Sequence, residues 1–229
     1  MKRLRVLLAP CGLALAAVAA FSVDLQISHA FRRWNEIAAV HNVIENLNRL
    51  EPFGHGLGVL VIIVAAHQLD PARRWAIPRL FACVATSGLI ANLIKVLVVR
   101  VRPNSFAFDG SVWDTFGGWL PWISAGSCGE SFPSGHTAAA TALAGALIWL
   151  YPNGRVLFIA LAALVGCQRV AFGSHYVSDV LFGAAVGCFS VSLFFHFGLL
   201  PQWFERLEAR WRAKRPAGGR RAANHKPSG

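Results

Sequence analysis

The sequence predicts an all-α integral membrane protein with six transmembrane helices packed as one helical bundle. Three observations predict this. The 229 residues are 55% apolar and only 14% charged, with a mean hydropathy of +0.48, a balance foreign to soluble domains. Several apolar stretches approach the ~20 residues that a helix needs to cross a bilayer. Polar clusters fall at the ends of those stretches rather than along them. The net charge of +11 raises nucleic acid as a partner. Its placement argues against that, because the bases lie in short connections and a C-terminal tail.

Residues 1–24 open with Lys2, Arg3 and Arg5 and continue as an apolar run from Val6 to Val23. Two readings stay open: a cleaved signal peptide, since Ala17-Val18-Ala19 resembles a cleavage site, and a retained first helix. The positive flank and run length favour retention. Residues 25–52 mix Arg32, Arg33, Glu36, Glu45, Arg49 and Glu51 with apolar positions. They read as an interfacial or a connecting helix, with His41 on its surface. Residues 53–200 form the expected core. Phe53 to Leu69 is a short second span whose Gly54, Gly56 and Gly58 permit close helix approach. Asp70 to Arg79 reads as a polar turn and Leu80 to Val99 as the third span.

Val101 to Phe132 is the longest connection, with Trp113, Trp119 and Trp122 fitting a loop at the membrane interface. Thr137 to Tyr151, Val156 to Val170 and Val180 to Leu200 are the remaining spans. Residues 201–229 form a basic tail, its second half too polar for a core. Four of the five cysteines sit in apolar runs and only Cys128 in a polar loop; with no CxxC pair they read as inert.

Orientation follows from the bases. With both termini cytoplasmic, fifteen of the 22 Lys and Arg fall inside and seven outside, as the positive-inside rule requires. The ends of spans three and five and the starts of four and six then share the outer side. All the polar clusters lie there, so the active site is expected to be extracytoplasmic.

Each cluster has a chemical meaning and a plain structural one. Lys95 follows an apolar helix, where a cation is costly unless it snorkels to the interface. Arg102 is seven residues on, which on a continuous helix is about 20° short of two turns, with Pro103 ending the helix. Pro133-Ser134-Gly135-His136 opens span four. Pro suits a first helical turn, and free amides at a helix start bind anions. Ser134 adds a hydroxyl and His136 a proton donor, although the same tetrapeptide also makes an ordinary cap. Arg169 offers a planar fork for phosphate. His175 and Asp179 are one helical turn apart, as in a nucleophilic histidine steadied by a carboxylate, or in a structural pair. Taken together, three cations, an anion-binding helix start and two histidines describe phosphoryl transfer without a metal.

Lys95-x6-Arg102-Pro103, Pro133-Ser134-Gly135-His136 and Arg169-x5-His175-x3-Asp179 resemble, in order and spacing, the three-part signature of the type-2 phosphatidic acid phosphatase superfamily. The resemblance covers roughly residues 53–200. It implies a six-helix membrane phosphatase with no cofactor or metal. His175 would attack phosphorus and form a phosphohistidine, Asp179 would orient it, and His136 would protonate the leaving group. Lys95, Arg102, Ser134, Gly135 and Arg169 would hold the phosphate. Gln168 stands where the family usually has Ser, which puts one phosphate contact in question.

The implied substrate is a phosphorylated membrane lipid: undecaprenyl diphosphate, phosphatidylglycerol phosphate, phosphatidate or a lipid A phosphate. The implied location is the bacterial inner membrane, with the site facing the periplasm or exterior and anionic lipid against the basic tail. The Trp-rich loop from Ser111 to Cys128 is expected to help choose the head group. A lipid phosphotransferase is the alternative enzyme. A vanadate-dependent oxidant fits less well, and a non-enzymatic transporter or scaffold would need no such aligned set. Oligomeric state is not encoded in these patterns.

Overall fold

The computed structural model describes residues 6–119 and 129–213. The N-terminal bases Lys2, Arg3 and Arg5, the part of the tryptophan-rich loop with Trp122 and Cys128, and the tail from residue 214 lie outside the described residues.

The described residues are mostly helical. Helix α1 (Leu8–Ala20) turns by 75° into α2 (Asp24–Trp34). Helix α3 (Ala38–Leu47) and a 3-10 turn (Asn48–Phe53) lead, at a 56° bend, into α4 (Gly56–Leu69). A second 3-10 turn (Pro71–Ala76) opens α5 (Ile77–Leu97). Strand β1 (Val98–Arg100) then pairs antiparallel with β2 (Phe116–Trp119), Val98 opposite Trp119 and Arg100 opposite Phe116. Helices α6 (Gly135–Leu150), α7 (Arg155–Ala171), α8 (Val177–Phe195) and α9 (Leu199–Ala213) complete the fold.

Helix α6 is the central post because its side chains are small. Ala138, Ala140, Ala142, Ala144 and Ala146 are all buried, and α5, α7 and α8 pack around them. Two glycines of α8 make the closest crossing. A Cβ on Gly183 would stand 2.4 Å from the Ser134 carbonyl oxygen, and one on Gly187 2.6 Å from that of Ala138. Dispersion between close backbones replaces the hydrophobic drive that lipid cannot supply. Leu57, Val61, Leu89, Leu93, Val156 and Ile159 point outward, the apolar surface of a helical membrane protein.

Among the described residues, three helical segments are long and apolar enough to cross a bilayer: Pro71–Leu97, Pro152–Ala171 and Val177–Phe195. The other apolar segments are the two bent pairs and α6 with its 16 residues. At 1.5 Å per residue α6 spans about 24 Å of a ~30 Å hydrocarbon core. Every expected apolar span therefore forms helix, but three of them are short or bent.

Several expectations need correction. The third span ends at Leu97, and Val98–Arg100 is a strand. The long loop after it is thus not wholly irregular. Gly54 permits a close approach, its Cβ position being 2.6 Å from the His136 carbonyl oxygen, but Gly56 has nothing within 4 Å. Arg79 is not in a polar turn. It is buried in α5, 3.1 Å from Glu208 of α9, and donates to the Pro201 carbonyl at 2.7 Å. The first half of the basic tail is therefore a docked helix, seated by a buried ion pair and by Phe204.

Candidate active site

All eight expected site residues lie at one end of the bundle, each held by a helix end or by a turn beside one. Lys95 sits in the last turn of α5. Its ammonium lies 3.9 Å from where a Cβ on Gly135 would be, within electrostatic reach of Arg102, Arg169, Glu130 and Asp179. Arg102 does not share a helical face with Lys95, as a continuous helix would require. The strand turns the chain, and Arg102 stands in extended backbone (φ −70°, ψ 150°) ahead of Pro103. It approaches the site because Asn104 is tied to the turn before His175. The Asn104 amide donates to the Gly173 carbonyl at 3.0 Å, and its side chain to Phe172 at 2.8 Å. Gly173 closes that turn at φ +65°, a conformation that costs glycine least.

The start of α6 also differs from expectation. Pro133 precedes the helix, and Ser134 is the N-cap. The Ser134 hydroxyl accepts from the Thr137 amide at 3.4 Å and lies 2.9 Å from the Thr137 hydroxyl. Ser134 is fully buried, and its side chain caps the helix. The amides of Gly135 and His136 follow, without acceptors of their own in the helix. That is the geometry of an anion site.

Arg169 ends α7 and is 8% exposed. The Nε atoms of Arg169 and Arg102 are buried and have no hydrogen-bond partner among the described residues. A buried, unpaired guanidinium donor is costly, and an incoming oxyanion would satisfy it. Gln168, the departure from the family pattern, is fully buried in the end of α7.

His175 is 1% exposed. Its Nδ1 lies 2.7 Å from the Ser131 carbonyl and 3.9 Å from Asp179 Oδ2. A carbonyl only accepts, so Nδ1 carries the proton and Nε2 keeps its lone pair. Burial holds the imidazole pKa below its ordinary value, against the opposing pull of Asp179. The neutral, nucleophilic form is therefore the resting form. Asp179 is saturated with donors. Its Oδ2 accepts from the Ser131 hydroxyl at 2.6 Å and the Tyr176 amide at 2.8 Å, and its Oδ1 from Arg100 at 2.5 Å.

Four residues at or beneath the site escaped the sequence reading. Glu51, in the 3-10 turn before α4, places Oε1 3.2 Å from the Arg169 guanidinium and 3.3 Å from His136 Nε2. Ser131 holds both His175 and Asp179. Arg100 and Asp24 form a buried ion pair at 2.8 Å beneath Asp179. One signal was available: Asp24 is a lone charge beside an apolar run. For Glu51 and Ser131 no pattern marks them out.

Comparison with known proteins identifies the family. Residues 77–202 match the PAP2 superfamily, a span of more than half the chain, so the protein belongs to that superfamily. The lipid A 1-phosphatase of Rhizobium johnstonii is 42% identical over 113 residues, 49% of this chain and 44% of that one. The decaprenylphosphoryl-5-phosphoribose phosphatase of Mycobacterium tuberculosis is 35% identical over 141 residues, 60% of this chain and 71% of that one. The chain thus matches less than half the length of the lipid A 1-phosphatase. A crystal structure of the Bacillus subtilis transmembrane PAP2-type phosphatidylglycerolphosphate phosphatase superposes with a TM-score of 0.58 at 24% identity. That alignment covers 87% of this chain and 97% of the other, and establishes a shared fold.

Proposed function

We propose that the protein is a membrane phosphatase that removes phosphate from a lipid phosphomonoester or diphosphate, through a phosphohistidine on His175 and without a metal. The observation that carries this reading is the cluster of cations at the buried His175: Lys95, Arg169 and His136 at the start of α6 lie within electrostatic reach of it, Arg102 lies beside Lys95 and Arg169, and the Ser131 carbonyl takes up His175 Nδ1.

The phosphate oxygens rest on the three cations and on the amides of Gly135 and His136, which the Ser134 cap holds in place. The Nε2 lone pair of His175 attacks phosphorus. The N–P bond forms as the P–O bond to the lipid breaks, and the leaving oxygen takes a proton from His136, which enters this step as the imidazolium beside the Glu51 carboxylate and is left neutral. Asp179 stabilises the imidazole while it is positively charged. Water then attacks phosphorus and gives its proton to His136, the N–P bond breaks, and phosphate leaves. The protein's part is charge stabilisation and positioning.

The distribution of bases supports an inner-membrane bundle with both termini cytoplasmic and the site on the periplasmic or exterior face. The basic helix α9 and the tail beyond it would meet anionic lipid on the cytoplasmic side. The 42% identity to a lipid A 1-phosphatase puts a glycosyl phosphate of lipid A type first among substrates. Phosphatidylglycerol phosphate and decaprenylphosphoryl-5-phosphoribose follow from the other relatives.

The test is phosphate release by the purified protein in detergent, with lipid A, phosphatidylglycerol phosphate, phosphatidate and undecaprenyl diphosphate, each with and without EDTA. Activity is expected to survive EDTA and to fall about 10³-fold or more in His175→Ala. Activity retained in that variant removes His175 as nucleophile. Label moved to a second lipid in place of free phosphate replaces hydrolysis with transfer.

A further inference from the structure

Neither Asp24 nor Arg100 has a part in the steps above, yet both are fully buried. A buried guanidinium and a buried carboxylate are costly unless every polar atom is engaged, and here they are closely engaged. Arg100 donates to Asp24 Oδ2 at 2.8 Å, to Asp179 Oδ1 at 2.5 Å, to the Ser178 hydroxyl at 2.7 Å and to the Thr115 hydroxyl at 3.1 Å. Its guanidinium also stacks over the Tyr176 ring at 4.0 Å. Asp24 in turn accepts from the Ser178 amide at 2.9 Å and from the Ser178 hydroxyl. One planar fork thus joins the start of α2 to the first turn of α8.

The charges decide the meaning. With Asp24 and Asp179 both ionised, the two carboxylates and one guanidinium leave this buried cluster at −1. The His175 imidazole, 3.9 Å from Asp179, is placed to supply the balancing charge. Alone, Arg100 would neutralise Asp179. Asp24 shares Arg100 and leaves Asp179 able to act on His175.

We propose that Asp24 and Arg100 are positioning residues for Asp179: Arg100 fixes the carboxylate beside His175, and Asp24 holds Arg100 and offsets its charge. The N-terminal segment, through Asp24, is then part of the catalytic apparatus. The proposal rests on the phosphatase reading.

The test compares purified full-length Asp24→Asn, Arg100→Met and Arg100→Lys with wild type, on whichever lipid of the panel the wild type hydrolyses fastest. The charged and titratable groups facing His175 are Asp179 from α8, Arg169 from α7, Lys95 from α5 and His136 from α6. Glu51 lies behind His136 and Arg169, and Arg102 and Glu130 beside Lys95. All stay unchanged in the variants. Asp24→Asn leaves Arg100 undivided on Asp179, so protonated His175 loses support. The acid limb of kcat/KM then moves down by about 0.5–1 pH unit. Arg100→Met frees Asp179 to favour protonated His175, and the limb moves up by about as much. Both lower kcat by about ten- to hundredfold, with KM and inhibition by inorganic phosphate near wild type. Arg100→Lys keeps the charge but loses the fork, so kcat falls and the limb stays in place.

Opposite shifts support the proposal. Shifts in one direction, or none in either variant, overturn it. Should Arg100→Met lose phosphate inhibition through misfolding, the other two variants decide: wild-type kcat in both overturns the proposal. A wild type inert on the whole panel counts against the phosphatase reading itself. An active wild type with indifferent variants counts against the positioning role alone.

Discussion

Replacing Gly183 with Ala tests whether the close crossing of α8 and α6 sets the site. The added Cβ would stand 2.4 Å from the Ser134 carbonyl oxygen, 3.3 Å from its carbon and 3.4 Å from the Ala138 nitrogen. All three are backbone atoms, so no rotamer change relieves the clash. Ordinary contact begins near 3.4 Å, so the helices must part by about 1 Å, at a cost of roughly 1–3 kcal/mol. Asp179 is one turn before Gly183 on α8, and its carbonyl accepts from the Ser134 amide at 3.0 Å. The displacement therefore falls between His175 with Asp179 on one side and Gly135 with His136 on the other. A misplacement of about 1 Å costs on the order of 10²-fold in rate. The assay is phosphate release alongside thermal unfolding in detergent. Gly88→Ala is the control, since nothing lies within 4 Å of it; there the swap should stabilise by about 0.5–1 kcal/mol. A Gly183→Ala protein as stable and as active as wild type would refute the reasoning.

Three further outcomes are expected at the site. Burial holds His175 below its ordinary 6.5, so the acid limb of kcat/KM should lie below pH 6.5 in a rate profile. Below pH 6.5 the unfolded chain also binds a proton that the native one refuses, so stability, followed by thermal melts, should fall with pH there. Glu51→Gln removes a carboxylate seated between Arg169 and His136. The Glu51 side chain is 34% exposed, so the repulsion relieved is near the solvent-screened value of about 1 kcal/mol, or roughly fivefold tighter inhibition by inorganic phosphate. Unchanged or weaker inhibition rejects this placement of the anion site.

Much of the bundle and its chemistry was legible in the sequence because both are local. Apolar runs declare helices, and the three motifs keep fixed spacings whose residues the fold then brings together. The errors arose where a short-range rule met a long-range partner. Extending the third helix through Arg102 ignored β1, whose pairing with β2 is set by residues on the far side of a loop. Placing Arg79 in a polar turn ignored Glu208, more than a hundred residues away. Putting Pro133 inside a helix followed a sound propensity, but Ser134 is the cap.

The sequence by itself determined a membrane-embedded helical protein and the set of polar groups that meet at one end of the bundle, since hydropathy and motif spacing are properties of neighbouring residues. Only the tertiary structure decided which charges are spent on one another. Arg100 and Arg102 are two residues apart and of one type. One is fully buried between Asp24 and Asp179, and the other keeps a buried donor without a partner among the described residues. That difference rests on which carboxylates lie within a few ångströms, and such distances are fixed by packing between helices rather than by order along the chain.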